Sequence, residues 1–225
     1  MASLSNLSRY LGIYEHWKQI MRNYGLKWER ISSLDTVINL LNTNLDDVKD
    51  WLKSVIQKMP DEFAVVEVFA VLTGLRPSES CMSTSLITEL SMKNELEQYL
   101  NKDLQMLQHF RYKEQFLRRN KNAYISFISQ DLLDLITGVE PKITYSQLQK
   151  KIYRLHLENR TRQLRKLNAT LLRETLPREV IDLLQGRINQ SVFLRYYYKP
   201  FLKDIRDRTL KGIEPLQKEL LEILS

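Results

Sequence analysis

The segment from Glu62 to Leu72 is apolar on almost every side of the helix that its composition favours. Pro60 precedes the segment and Gly74 follows it, and these residue types commonly flank the ends of a helix. A helix without a polar face has to be enclosed by other elements. The sequence therefore predicts a domain packed around this segment. Glu67 interrupts the apolar run, which is also too short to span a membrane.

Helices are predicted for much of the remaining chain. Six glycines and six prolines among 225 residues favour long helices joined by few tight turns. Apolar residues at helical spacing predict helices at residues 4–24, 46–56, 130–137, 145–158, 162–174 and 177–184, and from 200 onward. Gly25 is the predicted end of the first helix, and a polar connection follows it.

The middle of the chain predicts a small sheet. Residues 104–111 and 123–129 are short segments rich in apolar or aromatic side chains, and the second alternates like a half-buried strand. The basic stretch from Arg118 to Asn122 lies between them and suits the tip of a hairpin. The predicted fold class is therefore mainly α with a small antiparallel β-sheet, an α+β fold.

Composition limits the classes of function. The net charge is +7 and the isoelectric point is about 9.4, which favours a polyanionic partner. Cys81 is the only cysteine, which rules out an intramolecular disulfide and a cysteine-based metal site. The three histidines lack metal-ligand spacing, and no acidic cluster suits a two-metal nuclease, so we expect no metal site. The N-terminus lacks a signal-peptide pattern, and we expect a soluble cytoplasmic protein.

Arginines stand in three separate segments of the chain. Arg76 follows the central helix, and Glu79 is placed to pair with an arginine. Arg162 and Arg165 are three residues apart and share a helix face, and Arg187 comes after a later apolar segment. Each arginine keeps its charge and offers a planar fork of N–H donors to phosphate oxygens. Taken singly, each is also explained as a surface or helix-end cation.

A run of three tyrosines, Tyr196, Tyr197 and Tyr198, follows the arginines. A tyrosine hydroxyl can attack phosphorus and store the bond energy as an ester. Consecutive helical residues point about 100° apart, so only one of the three would face the arginines. Lys121 at the predicted hairpin tip is a candidate proton donor to a leaving oxygen, with Lys113 as the alternative. A buried aromatic cluster and a solvated turn lysine explain the same residues without catalysis.

The order of these residues resembles the catalytic domain of the tyrosine recombinases, also called phage-type integrases. The matching segments are TGLRPSE at 73–79, RQLRKLNATLLR at 162–173, IDLLQGRI at 181–188 and SVFLRYYYKP at 191–200. The last three resemble archaeal integrases in particular, including those of spindle-shaped viruses, which carry lysine or arginine at places that bacterial relatives fill with histidine. Arg162 and Arg187 occupy those places here. The resemblance covers about residues 45–200.

This resemblance implies a role for each basic residue. Arg76 and Arg165 would clamp the scissile phosphate of DNA. Arg162 and Arg187 would complete the positive cage around it. Lys121 would protonate the leaving 5′-oxygen.

The resemblance also implies a nucleophile and a reaction. Archaeal relatives often read Arg-His-Tyr here, and that register places their histidine on Tyr196 and their nucleophile on Tyr197. Spacing from Arg187 leaves Tyr196 as the alternative nucleophile. The enzyme would cleave and rejoin DNA strands through a 3′-phosphotyrosyl intermediate, without a metal or nucleotide cofactor.

Domain organisation and partners follow from the same resemblance. Residues 1–45 would form a partial helical core-binding segment and linker, residues 46–200 the catalytic domain, and residues 201–225 a C-terminal helical tail. The tail would either dock on a neighbouring protomer or fold back on its own core. The expected partner is a double-stranded attachment site bound by a homotetramer in the nucleoid of a prokaryotic cell, where viral or plasmid DNA enters an archaeal chromosome. Relatives have a complete core-binding domain, whereas only about 45 residues precede the catalytic domain here. Three interpretations of the chain therefore stay open: a minimal integrase, a C-terminal fragment, and a catalytically deficient DNA-binding remnant.

Overall fold

The computed structural model describes residues 2–26, 34, 37–38, 44–118, 122–187 and 201–224. Contacts divide the chain into two compact units, Met1–Asn44 and Leu45–Ser225. The described residues are mainly helical and include a three-stranded antiparallel sheet. This confirms the predicted fold class of α-helices with a small antiparallel sheet.

In the first unit, residues 2–26 form the helices α1 (Ala2–Tyr10) and α2 (Tyr14–Asn23). The single helix predicted over residues 4–24 is wrong, because Gly12 interrupts it with a φ of +70°. Glycine adopts this left-handed conformation at little cost, and such a residue commonly ends a helix. The predicted end at Gly25 is confirmed, since its φ is also positive, at +61°.

The second unit is built around α4 (Asp61–Thr73), the helix that the sequence predicts to be central. Its last ten residues are all buried. Two helices that flank it in sequence, α3 (Leu45–Lys58) and α5 (Pro77–Met92), pack directly against it. Gly74 ends α4 in the left-handed conformation, with a φ of +68°. The prediction that this helix is enclosed on all sides is therefore confirmed.

The sheet contains three two-residue strands, β1 (Leu100–Asn101), β2 (Met106–Leu107) and β3 (Ser126–Phe127). They lie side by side in that order, and both pairs are antiparallel. Strands β2 and β3 fall within the two segments predicted from the sequence. The sequence did not predict β1, because a two-residue strand is too short to show an alternating pattern.

The predicted hairpin tip lies between β2 and β3. A short helix, α6 (Lys113–Phe116), precedes it, and Leu117 and Asn122 then form an isolated antiparallel bridge. This bridge brings the two ends of the predicted tip together. Residues 119–121 lie outside the described residues, and the candidate proton donor Lys121 is among them.

The later helices among the described residues also belong to the second unit. They are α7 (Gln130–Val139), α8 (Tyr145–Arg154), α9 (Leu164–Leu172), α10 (Arg178–Leu184) and α11 (Leu202–Leu224). Three of them, α7, α9 and α11, contact the central helix directly. A 3₁₀ turn, Thr161–Gln163, leads into α9, so the predicted helix at 162–174 begins with a tighter turn than an α-helix.

The tail helix α11 lies against the core of its own unit. It contacts α3, α4, α9 and β3, and Ser129 donates a hydrogen bond to Oε1 of Gln217 at 2.9 Å. Its buried apolar residues are Ile205, Ile213, Leu216 and Leu220. In this single chain the tail is folded back on the core of its own unit, and docking on a neighbouring protomer stays a prediction.

A buried chain of polar side chains joins α5 to the sheet. Ser83 lies 2.9 Å from the hydroxyl of Tyr99, which lies 2.5 Å from Nδ1 of His109. Nε2 of the same histidine is 2.8 Å from the hydroxyl of Ser126. Burial lowers the pKa of His109 to about 3, so the ring is neutral at physiological pH. A neutral imidazole can donate at one nitrogen and accept at the other, which satisfies both neighbours.

Candidate phosphate-binding site

Arg76 lies where α4 gives way to α5. The left-handed Gly74 turns the chain, and Arg76 becomes the N-cap residue of α5. Glu79 is almost fully buried and accepts two hydrogen bonds from this arginine, at 2.7 Å from Nη1 and at 3.0 Å from the backbone N–H. The pair fixes the plane of the guanidinium and leaves 25% of the Arg76 side chain exposed.

Arg165 lies on α9 and is 9% exposed. Its Nε donates to Oε1 of Gln185 at 3.2 Å, and its Nη2 donates to the backbone carbonyl of the same residue. Its Nη1 is buried and has no hydrogen-bond partner in the described structure. A buried charged donor without a partner is costly, so the nitrogen is suited to an acceptor beyond the described residues, such as a phosphate oxygen.

Two amide side chains attach Arg165 to the central helix. Nε2 of Gln185 donates to the backbone carbonyl of Arg165 at 2.9 Å and to Oδ1 of Asn168 at 3.1 Å. Nδ2 of Asn168 donates to the last carbonyls of α4, those of Val71 at 2.9 Å and Leu72 at 3.1 Å. The helix that carries Arg165 is thereby held in register with the end of α4, from which Arg76 projects.

Gly186 brings the predicted hairpin close to this network. Its φ is +62°, and a Cβ on it would lie 1.7 Å from the backbone oxygen of Asn122. The same oxygen accepts a hydrogen bond from Nη1 of Arg76 at 3.3 Å. Only glycine allows this approach, and it joins the turn after α10 to the end of the hairpin and to the first arginine.

Arg187 is the third arginine of the cluster. Its backbone N–H donates to the carbonyl of Asp182 at 2.7 Å, and its Nη1 lies 3.8 Å from that aspartate's Oδ1. Its side chain is 47% exposed. The guanidinium groups of Arg76 and Arg187 are both close enough to Arg165 to act on its pKa.

The electrostatics of the cluster favour an anion. Burial is the largest cause that lowers the pKa of Arg165, to about 10, and repulsion by Arg76 and Arg187 adds to it. The carboxylates of Glu79 and Asp182 act in the opposite direction. Arg165 still carries its charge at neutral pH. Three cations thus share two carboxylates, and a bound phosphate would supply the missing negative charge.

Arg162 differs from the other three arginines in its placement. It lies in the 3₁₀ turn before α9 and is exposed. In the part of the chain that the structure describes, it forms no hydrogen bond or ion pair, and it is not among the charges that shift the pKa of Arg165. Lys113, the alternative to Lys121, begins α6 and is exposed. The structure therefore brings together Arg76, Arg165 and Arg187.

The tyrosine run lies outside the described residues. Tyr196, Tyr197 and Tyr198 all fall in the segment between residues 187 and 201. The choice between Tyr197 and Tyr196 as nucleophile thus stays a prediction from the sequence. The last described residue before this segment is Arg187, which is itself part of the cluster.

Sequence reasoning missed the amides that hold the arginines. Asn168 carries a recognisable signal, because it lies between Leu164 and Leu172 at spacings of four residues, on the buried face of α9. A polar residue in that register is expected to need buried partners. Gln185 carries no comparable signal, since its role depends on a residue twenty positions earlier in the chain.

Comparisons with known proteins return no match to a family model, to a curated protein or to a solved structure. Within the described residues, no three histidine, cysteine or acidic side chains are grouped so that they could hold a metal ion. None of the described helices is both long and apolar enough to cross a membrane. The candidate site therefore rests on the arginine cluster and its supporting amides.

Proposed function

We propose that this chain is a site-specific DNA recombinase that cleaves and rejoins strands through a 3′-phosphotyrosyl intermediate. The observation that carries the proposal is the grouping of three arginines from distant segments, Arg76, Arg165 and Arg187, close enough for the first and third to act on the pKa of Arg165. One buried guanidinium nitrogen of Arg165 has no partner among the described residues. The same three residues occupy motif positions in the resemblance to tyrosine recombinases. A generic basic surface would not require a buried, unpaired donor.

Phosphate binding would come first in the proposed mechanism. Arg165 would direct Nη1 to a non-bridging oxygen, and Arg76, held in plane by Glu79, would bind a second one. Arg187 would add positive charge at the exposed side. Donors fixed before the substrate arrives stabilise the charge that develops in the transition state, because they need no reorganisation.

Strand exchange would follow in two steps that conserve the number of phosphodiester bonds. The hydroxyl of Tyr197, or of Tyr196, would attack phosphorus and lose its proton while the 5′-oxygen leaves and gains one, with Lys121 as the proposed donor. A 5′-hydroxyl from a second strand would then attack the phosphotyrosyl ester and release the tyrosine. The ester retains the bond energy, so the reaction needs no nucleotide. Arg162 would contact DNA from its exposed turn.

The proposal includes a homotetramer on an attachment site and integration of viral or plasmid DNA in a prokaryotic cell. A DNA-binding remnant that no longer cuts is the alternative, because the arginine cluster alone could bind phosphate. The two proteins differ in one observable, a covalent bond to DNA.

The test uses a duplex with a nick just beyond the scissile phosphate, so that the short cleaved fragment diffuses away and the adduct accumulates. Candidate attachment sequences are incubated with protein in EDTA and run on a denaturing gel. We expect a covalent band that Tyr197→Phe removes, while duplex binding persists. Tyr153→Phe is the matched control, because Tyr153 is 81% exposed on α8 and should leave the band intact.

Each other outcome has a distinct meaning. A band that survives Tyr197→Phe and is lost in Tyr196→Phe would move the nucleophile by one residue. Duplex binding without a band for any sequence would support the remnant. Absence of binding that also persists at low salt would refute a DNA role, since phosphate contacts strengthen as salt falls.

A further inference from the structure

Glu67 is a fully buried carboxyl group in the middle of the central helix α4. Its neighbours in sequence are apolar and also buried. In the described structure, its Oε2 has no hydrogen-bond partner. An ionised carboxylate in such a place would have an uncompensated charge, whereas a protonated carboxylic acid would not.

The hydrogen bonds around Thr161 also indicate a protonated Glu67. Oγ1 of Thr161 lies 3.0 Å from Oε1 of Glu67 and 2.8 Å from Oδ1 of Asn159. The backbone N–H of Thr161 also donates to Oδ1 of Asn159 at 3.2 Å, which identifies that atom as the amide oxygen. A hydroxyl has one proton and cannot donate to both oxygens. Both contacts are satisfied when Glu67 donates to Thr161 and Thr161 donates to Asn159.

The turn that Glu67 holds leads directly to the arginine cluster. Thr161 begins the 3₁₀ turn, and Arg165 follows it by four residues in the first turn of α9. A second bond holds the preceding loop, since Nε1 of Trp51 on α3 donates to the carbonyl of Glu158 at 2.7 Å. The bond between Glu67 and Thr161 joins α4 to the start of this turn.

We propose that Glu67 is a positioning residue that works as a neutral, protonated acid: it fastens the turn Thr161–Gln163 to α4 and so fixes the placement of Arg165, and its ionisation loosens the arginine cluster. The inference that this affects DNA binding rests on the proposed function. The inference that Glu67 is protonated and holds the turn rests on geometry alone.

The surroundings of Glu67 agree with the proposal. Burial raises the pKa of Glu67 to about 8. Donation by Thr161 to an ionised carboxylate would oppose that rise, whereas donation by the protonated acid, the arrangement inferred here, adds to it. The titratable neighbour is the buried thiol of Cys81 on α5, whose pKa is raised to about 12 by burial and by Glu67. From the described parts of α3, α7, α9 and α11, no charged side chain acts on the pKa of Glu67. No cation therefore compensates an ionised Glu67 there.

The pH dependence follows from linkage. The pKa of this group is higher in the closed turn than in an opened one, because water that reaches the carboxyl would return its pKa toward the ordinary glutamate value of 4.5. The contribution to closure is therefore complete below pH 4.5 and is lost as pH rises toward 8. In that window the ratio of closed to open turn falls roughly tenfold per pH unit.

The experiment measures hydrogen exchange of amides 161–168 at pH 6 and pH 8, corrected for the intrinsic rate, in wild type and in Glu67→Gln. Glutamine keeps a donor to Thr161 and does not titrate. We expect protection to fall by about ten- to a hundredfold in the wild type and to stay constant in Glu67→Gln. The control is Glu89→Gln, at an exposed residue of α5 paired with Lys93, in which the protection of these amides should fall as it does in the wild type. An equal fall in Glu67→Gln, or none in the wild type, would overturn the proposal.

Two further arms separate positioning from burial and from DNA binding. Thr161→Val should lower the protection of these amides from hydrogen exchange at pH 6, whereas Thr161→Ser keeps the hydroxyl and should not lower it. Equal protection in the two variants would overturn the positioning role.

Affinity for a short fluorescein-labelled duplex should fall more steeply with pH in wild type than in Glu67→Gln, and parallel falls would overturn the link to Arg165. A chain that binds no duplex would refute the proposed function, and the exchange data would still decide the role of Glu67.

Discussion

Replacing Gly186 by alanine tests whether the close approach at this residue builds the candidate site. The added Cβ would lie 1.7 Å from the backbone oxygen of Asn122 and 2.7 Å from its carbon. These are backbone atoms, so no side-chain rotation relieves the contact. The same oxygen accepts the hydrogen bond from Arg76. Any movement that accommodates the alanine therefore displaces a partner of the first arginine.

The expected loss of folding stability in Gly186→Ala has two parts. A left-handed conformation costs a non-glycine residue about 1–2 kcal/mol. Forcing extra volume into a packed region costs typically about 1–3 kcal/mol. Gly186→Ala should thus lower the free energy of unfolding by about 2–5 kcal/mol, a large share of the stability of an ordinary domain. The loss of the contact between Asn122 and Arg76 should weaken duplex binding in the protein that remains folded.

Urea unfolding and duplex binding measure the two effects, and Gly138 supplies the matched control. Gly138 lies inside α7, and a Cβ there would meet nothing within 4 Å. Gly138→Ala should raise stability by about 0.5–1 kcal/mol, because alanine is the better helix former. A Gly186→Ala protein with wild-type stability and duplex affinity would show that the hairpin does not contact Gly186, and would refute this account of the site.

Two other predictions concern Arg165 and His109. Arg165→Lys keeps the charge but loses the fork that bonds to Gln185, so strand cleavage on the nicked duplex should fall about 10²–10³-fold, whereas Arg173→Lys, at an exposed arginine, should change it little; equal rates would exclude Arg165 from the site. The pKa of His109 is lower in the folded state, about 3, than in the unfolded chain. The contribution of His109 to the free energy of unfolding should therefore be complete above pH 6.5 and fall by about 1.4 kcal/mol per pH unit as the pH drops below that value. Thermal unfolding of His109→Gln should lack this dependence on pH, and an equal dependence in both proteins would contradict the prediction.

The parts of the fold that the sequence predicts are those with a local signal. The central helix shows itself because its apolar residues cover every side and Gly74 closes it. The break at Gly12 was missed because apolar residues keep their helical spacing across it, so periodicity alone gives one helix. Strand β1 has two residues and therefore no period to detect.

The candidate site shows the same contrast between residues that the sequence predicts and residues that it does not. Arg76, Arg165 and Arg187 were singled out by residue type and order, and the structure brings these three together. Arg162 fits the same order, yet it is exposed and is not among the charges that shift the pKa of Arg165. The amides of Asn168 and Gln185 escape prediction, because their partners lie 17 to 97 residues away and only the packed helices define them.

The hydrogen bonds of the Arg165 guanidinium link the fold to the candidate site. Its Nε and Nη2 are bonded to Gln185, and this glutamine is bonded through Asn168 to the last turn of α4. These bonds leave Nη1 without freedom to turn away, although it has no partner in the part of the chain that the structure describes. A guanidinium that was needed only for stability would have all of its buried nitrogens paired. The central helix that organises the core thus also fixes the direction of this donor, and under the proposed function that is the preorganisation needed to stabilise a phosphoryl-transfer transition state.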